Sequence, residues 1–395
     1  MMFNAPLRGV RIVEQGTFIT GPCAGMMLAD LGADVIKVEG PEGDPYRAYQ
    51  RGHYSPHFQA YNRNKRAICC DLKLPADREL FERLVAGADV YIQNFRPGTA
   101  ERLGAGVKRL RGLNPRLVYC SISGFGADGP YAERPSYDSV AQALSGFLSV
   151  VVDPDRPRFL GPALADAITG IYAAYGILGA LLERASTGHG RHVEVSMFEA
   201  MAHFAVEPFA AYFALGEAPK SSDRPRLAQA YILGTADGRL LAIHLSSLEK
   251  FWTGLTTAIE APELRDDPRF NDRLLRIRHY EALGAELDAR FRRRPLAEWV
   301  ARLSAHDVPF APINGIDAVV NDPQARHLGL VVPVEAAIEG GREAVRPALQ
   351  FDGRRATSVT AAPLLNQHGD AIRAALAKSG GWPDAAMAPE RRAAG

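Results

Sequence analysis

Short apolar runs alternate with stretches of helical periodicity through the first 125 residues. Val10–Val13 (VRIV), Val35–Val38 (VIKV), Ile68–Asp71, Val90–Gln93 (VYIQ) and Leu117–Ile122 (LVYCSI) read as strands. Pro22–Leu31, closed by Gly32, and Ala76–Ala86 read as helices. This cadence predicts a parallel sheet with crossover helices. Asp138–Val151, Ala165–Arg184 and Met197–Leu215 predict three mostly apolar helices, with a strand at His192–Ser196. Gly216–Arg226 is polar and Pro-containing, the composition of a linker. Beyond it, Ala230–Leu233 and Arg239–His244 form a hairpin pattern around Ala236-Asp237-Gly238. Three charged helices are expected over Leu248–Ala305, then short strands from Pro309 and a helix near Asp370–Lys378. The tail Trp382–Gly395, rich in Ala, Pro and Arg, is expected to fray.

The 395 residues exceed one simple core, so two or three domains, or one large domain with an insertion, are expected. Lys and Arg number 46 against 45 Asp and Glu, so no global field favours nucleic acid or a membrane surface. An anionic ligand has to be held by a local basic site. Four cysteines, Cys23, Cys69, Cys70 and Cys120, form no CxxC pair, which argues against a disulfide or zinc framework and for a reducing compartment. The opening residues lack the charged-then-apolar pattern of an export signal. Phe159–Leu182 carries one charge, Asp166, and the 16 residues after it fall short of the roughly 20 that span a bilayer. A buried helix is expected there.

The chain has no GxGxxG after the first strand, no P-loop, no HExxH and no GxSxG, so nucleotide-fold, metal and serine-esterase chemistry lack motif support. Asn62-Arg63-Asn64-Lys65-Arg66 with Asp71-Leu72-Lys73, and Asn94-Phe95-Arg96-Pro97-Gly98 with Arg102, place cations and an aromatic near strand ends. They suit either a phosphate and adenine site or a solvated basic surface. The loop Ser123-Gly124-Phe125-Gly126 is equally an active-site wall or a plain connection. Asp166 opens a long apolar helix, as a helix cap or as a functional carboxylate kept ionised by the helix field.

Taken in order, these segments resemble the class III CoA-transferases, the group of formyl-CoA transferase, carnitine CoA-transferase and α-methylacyl-CoA racemase. The matching segments include Leu31-Gly32-Ala33-Asp34-Val35-Ile36-Lys37-Val38-Glu39, Asn64-Lys65-Arg66, Asn94-Phe95-Arg96-Pro97-Gly98, Pro135-Ser136-Tyr137-Asp138, Gly188-His189-Gly190-Arg191 and Ala362-Pro363-Leu364. The resemblance implies an α/β fold: a large Rossmann-like parallel-sheet domain built from both chain ends, plus a smaller α/β domain, in an interlocked homodimer. The expected division is 1–215, a linker at 216–226, a small domain at 227–308 and a return at 309–395. The family's nucleophilic aspartate maps to Asp166 in Gly161–Asp166. Gln15 and Tyr137 are implied at the catalytic site. Lys73, Asn94, Phe95, Arg102 and Thr17 are implied CoA contacts, and Lys37 and Arg66 plausible neighbours. CoA and acyl-CoA are substrates, with no metal and no tightly bound cofactor expected. A cytoplasmic enzyme is expected, with neither nucleic acid nor membrane as partner.

The expected activity is CoA transfer from an acyl-CoA to a carboxylic acid through an aspartyl intermediate. The alternative is racemisation of 2-substituted acyl-CoAs. That branch carries histidine where this chain has Tyr137, and a phenol with a pKa near 10 shuttles protons poorly at pH 7. Thr17 and Ile19 replace a family histidine and glutamine. The run of glycines in the small domain of the formyl-CoA branch is absent between Gln229 and Trp252. The missing glycines put oxalate and formate in doubt as substrates, and the changes at Thr17 and Ile19 imply different substrate contacts there.

Overall fold

A computed structural model describes residues 5–49, 52–159, 161–246, 249–336, 341–379 and 381–383. The chain divides into two compact units, one drawn from 1–148, 159–206 and 324–395, the other from 149–158 and 207–323.

The first unit runs β1 (Arg11–Gln15), α1 (Thr20–Asp30), β2 (Asp34–Glu39), α2 (Pro56–Asn62), β3 (Lys65–Cys69), α3 (Pro75–Ala86), β4 (Val90–Gln93), α4 (Thr99–Arg102), α5 (Val107–Leu113), β5 (Val118–Ser123), α6 (Asp138–Leu144), α7 (Leu164–Thr187), β6 (His192–Ser196) and α8 (Met197–Phe204). The six strands form one parallel sheet in the order β3-β2-β1-β4-β5-β6. That is a Rossmann-like order, whose direction reverses between β1 and β4. Both faces are covered, which is why the strands read as nearly continuous apolar runs. Ile12, Val35, Ile92 and Cys120 point to the side of α1 and α7. Val13, Ile36, Tyr91 and Tyr119 point to the other, where Phe81 and Leu84 of α3 and Ile372 and Leu376 of the helix Gly369–Ser379 close the core. The period-2 alternation of a strand sorts the two sets.

Among the described residues, helix α7 is the one long and apolar enough to cross a membrane. Here it packs on α1 and the sheet through Ala173, Ala174 and Ile177. Gly170 permits the close approach: a Cβ there would lie 2.7 Å from Cys23 Cβ and 2.9 Å from the Thr20 carbonyl oxygen.

Several expected elements shift. β3 begins at Lys65 instead of Ile68, so the basic cluster lies at the amino end of the strand. The helix expected over 138–151 ends at Leu144, because Gly146 adopts φ 83°, and a short 3-10 turn follows. The helix expected over 197–215 breaks at Ala205 into α8 and α9 (Val206–Leu215). The expected linker contains a helical turn, Asp223–Ala228.

In the second unit β7 (Ala230–Gly234), β8 (Leu240–His244) and β9 (Phe310–Pro312) form an antiparallel sheet. Its helices Glu249–Ala258, Arg273–Arg278, Tyr280–Phe291 and Leu296–Ala305 number four where three were expected. Trp252, Phe270, Phe291 and Trp299 fill its core. Leu248 and the tail 384–395 lie outside the described residues.

Candidate active site

Open parallel sheets bind ligands beyond the carboxyl ends of their strands, where the order reverses. Here that point is the pair Gln15 and Gln93, which are register partners on β1 and β4. The turn after β1 is held rigidly. The Asn94 carboxamide accepts the Thr17 N–H at 2.9 Å and donates to the Thr17 carbonyl and to Thr20 Oγ1, both at 2.8 Å. The Phe18 N–H donates to Asp44 Oδ1 at 3.0 Å. Phe18 sits at φ 58°, a left-handed conformation that costs a bulky residue about 1–3 kcal/mol. The surrounding bonds hold it there.

One side of this turn opens on a cleft of about 440 Å³ lined by Gln15, Thr17, Lys73 and Phe95 among others. The Gln15 carboxamide is anchored on the cleft wall through Oε1, which accepts the Tyr91 hydroxyl at 2.7 Å. Lys73 is exposed at the rim. Asn94 is outside the lining, and its carboxamide is committed to the turn. Arg102 is exposed on α4, bonded to Thr99 Oγ1 at 2.7 Å and outside the lining.

Two expected neighbours of CoA are placed elsewhere. Lys37 has no exposed surface; its ammonium is 2.9 Å from Glu14 Oε1 and 3.1 Å from Asp44 Oδ2. Arg66 lies near the amino end of β3, opposite the cleft, and pairs with Asp34 at 2.6 Å. Each is paired with a carboxylate, which the fully buried Lys37 ammonium requires.

The other side of the turn packs toward the start of α7. Ile19, Cys23 and Tyr46 form a small core with Phe18, Tyr61 and Ala163. Tyr137, exposed to 63%, places its ring edge-on to Phe18 at 6.3 Å between centroids. Asp166, three residues beyond Ala163, is half-buried in the first turn of α7. It does not cap that helix. Asp138 does, through Oδ1, which accepts the N–H groups of Ala165 at 2.7 Å and Asp166 at 3.3 Å. Burial, and then the negative charge of Asp138, push the Asp166 carboxyl up to about 7. The expectation that the helix field keeps it fully ionised is therefore corrected. A carboxylate so desolvated is a stronger nucleophile than a solvated one, and such shifts concentrate at functional sites. Nearby Cys23 does not compete, since burial raises its thiol to about 11.

Phe18, Tyr46, Tyr61, Asp138 and Asp44 were not singled out from sequence. Asp138 adjoins Tyr137 and was accessible to a search for paired carboxylates. The tyrosines carry no local signal, because only the fold brings residues 46, 61, 137 and 166 together. Burial, then the neighbouring phenols and Asp166, push the Tyr46 hydroxyl up to about 12, so it stays protonated beside the carboxylate. Among the described residues no group of three His, Cys, Asp or Glu could hold a metal ion.

Residues 7–369 match the family described as CoA-transferase family III. A succinate–glutarate CoA-transferase of Agrobacterium fabrum is 35% identical over 344 residues, covering 84% of this chain and 86% of its own. A human succinyl-CoA:glutarate CoA-transferase is 31% identical over 376 residues, covering 92% and 84%. A CAIB/BAIF family protein from Brucella suis has a solved structure that superposes with a TM-score of 0.84 at 37% identity, covering 94% of this chain and 99% of its own. A match spanning both units, with relatives at this identity over most of their lengths, makes this chain a member of CoA-transferase family III, an enzyme that moves CoA from an acyl-CoA to a carboxylic acid.

Proposed function

We propose that Asp166 is the covalent nucleophile of this transfer. The carrying observation is a single desolvated carboxyl, held at about 7, on the far side of the turn that lines the switch-point cleft. Its oxygen attacks the thioester carbon and expels the CoA thiolate, leaving a mixed anhydride. The thiolate then attacks the Asp166 carbonyl and releases the donor acid, giving an aspartyl-CoA thioester. The acceptor carboxylate attacks that carbonyl and expels the thiolate again. The thiolate closes the cycle by attacking the acceptor's acyl carbon, which frees Asp166 as carboxylate. No external proton donor or ATP enters, and two covalent handovers replace one difficult exchange. Hydroxylamine added during turnover is expected to convert Asp166 to its hydroxamate, read by peptide mass spectrometry; an unlabelled Asp166 under active turnover rejects the scheme.

In this reading the cleft of Gln15, Thr17, Lys73 and Phe95 takes CoA. The Lys73 ammonium serves phosphate and the Phe95 ring serves an apolar or adenine face. Asn94 acts by holding the turn. A role for Arg102 in CoA binding rests on family resemblance alone. Relatives named for succinate and glutarate make succinyl-CoA the first donor and short dicarboxylates the first acceptors to test.

Tyr137 is assigned as a donor to the tetrahedral oxyanions. Tyr137→Phe is expected to lower kcat roughly tenfold to thirtyfold, less than a buried oxyanion donor because the phenol is exposed. The KM for acyl-CoA should stay within about threefold, since the cleft is untouched. A purely structural tyrosine would leave kcat unchanged.

An interlocked cytoplasmic homodimer is the assembly we assign. Ile171, Tyr175 and Leu182, spaced by four and seven residues along α7, are 48%, 74% and 78% exposed, an apolar stripe that supports a partner surface. Sedimentation equilibrium is expected to return twice the 42.8 kDa chain mass; a monomer mass removes this assignment.

A further inference from the structure

Three successive strands of the sheet contribute to one buried charge cluster: Glu14 from β1, its register partner Lys37 from β2, and Lys65 from β3, two residues nearer the amino end. Glu14 on β1 lies 2.9 Å from Lys37 on β2 through Oε1 and 2.5 Å from Lys65 on β3 through Oε2, and none of the three side chains is exposed. Such clusters are seldom a net gain over apolar packing, because each ion is stripped of water. Burial pulls the Lys65 ammonium down to about 8 even with Glu14 beside it. The fold also keeps room for the cluster: on α1 a Cβ at Gly25 would lie 2.2 Å from Glu14 Oε2. So costly a feature calls for a use, and its remaining hydrogen bonds, two of which reach the cleft residues Gly16 and Asp44, supply one. Lys37 donates to the Gly16 carbonyl at 2.7 Å. Lys65 donates to the Pro22 carbonyl at 2.8 Å and to Asn62 Oδ1 at 2.9 Å. Asp44, paired with Lys37, accepts the Phe18 N–H. The two ammoniums therefore grip both ends of the turn 16–22, and Asp44 grips its middle.

We propose that Lys65, braced by Glu14, is a positioning residue for the transfer step, holding this turn in register with Asp166 while touching neither substrate. The proposal rests on the reading of Asp166 as nucleophile. The turn carries Thr17 toward the cleft and Phe18 and Ile19 toward the start of α7, so a shift at Pro22 moves the reacting thioester against the carboxylate. A misplacement of about 1 Å is enough to cost up to about 10²-fold in rate.

The test compares Lys65→Met and the double variant Glu14→Gln/Lys65→Met with wild type, using succinyl-CoA and glutarate, with Asp166→Asn assayed in parallel. Lys65→Met leaves a buried carboxylate short of one partner and is expected to melt earlier. Its kcat should fall roughly thirtyfold with the acyl-CoA KM within about threefold. The double variant removes the stranded charge and is expected to regain melting temperature but not kcat, because the ammonium that ties the Pro22 carbonyl to β3 is still missing. Recovery of kcat together with melting temperature, or a folded Lys65→Met at wild-type kcat, overturns the proposal. If Lys65→Met does not fold, the double variant decides alone. Transfer retained by Asp166→Asn would overturn the nucleophile reading instead, a separate result from either of these.

Discussion

Asp166→Asn is expected to lower kcat for CoA transfer by at least about 10⁴-fold, because an amide oxygen does not displace a thiolate and no second nucleophile is poised beside it. Cys23, the nearby thiol, is held protonated by burial. Binding of acyl-CoA, measured by titration calorimetry, should change less than threefold, since the cleft is lined by residues 15–17, 73 and 95 and not by Asp166. The same variant should be more stable than wild type at pH 8. In the folded chain Asp166 holds its proton up to about 7, whereas the ordinary value for the unfolded chain is 3.8. Below 3.8 both states are protonated and the substitution has no electrostatic effect. Between 3.8 and 7 the wild-type fold loses stability as pH rises, and above 7 it carries the full cost of an ionised buried carboxylate, at most about 4 kcal/mol at 1.36 kcal/mol per pH unit. The amide carries none of it. A variant that is inactive and better folded points to a carboxylate kept for chemistry. Full activity, checked by mass spectrometry to exclude deamidation back to aspartate, would end the nucleophile assignment.

The parallel sheet was legible because its strands are apolar on both faces and each ends at a turn residue. Five of its six strands were marked within a residue or two of their observed positions, and the helix carrying Asp166 was marked nearly to its full length. The start of β3 is missed because Lys65 and Arg66 look like surface cations; local composition does not show that Asp34 waits on the adjacent strand and Glu14 on the one beyond it. For the same reason Lys37 was drawn toward CoA when its partner lies one strand away. The two long helices at 138–151 and 197–215 were over-extended, since apolar periodicity continues through the breaks at Gly146 and Ala205. In the proposed site, Asp166, Gln15, Thr17, Lys73 and Phe95 belong to short motifs, and motifs survive reading in one dimension. The aromatic wall of Phe18, Tyr46 and Tyr61 is an accident of proximity in the fold and leaves no spacing to detect.

The pH profile carries the remaining large effect. For the free enzyme, kcat/KM should rise with pH through an inflection near 7 and level off above about 8, because the attacking oxygen must be ionised. The rate is then about tenfold below plateau at pH 6 and about a hundredfold below it at pH 5. The first turn of a helix ordinarily favours a carboxylate, so the direction of this shift needs a cause. The N–H groups that would stabilise Asp166 are occupied by Asp138, which accepts from Ala165 and from Asp166 itself. The helix field is thus spent on a neighbour whose charge then opposes a second ionisation. Asp138→Asn separates the two roles. An asparagine oxygen still accepts both N–H groups, so α7 stays capped, while the opposing charge disappears. The inflection should move to lower pH by about 0.5–1 unit, with burial keeping it above the ordinary carboxylate range. Melting temperature at pH 5, where Asp166 is largely protonated in the wild type, should change little. An inflection that stays at 7 in Asp138→Asn would assign the shift to burial alone, and a profile flat from pH 5 to 8 would mean that the attacking group is already ionised throughout and is not this carboxyl.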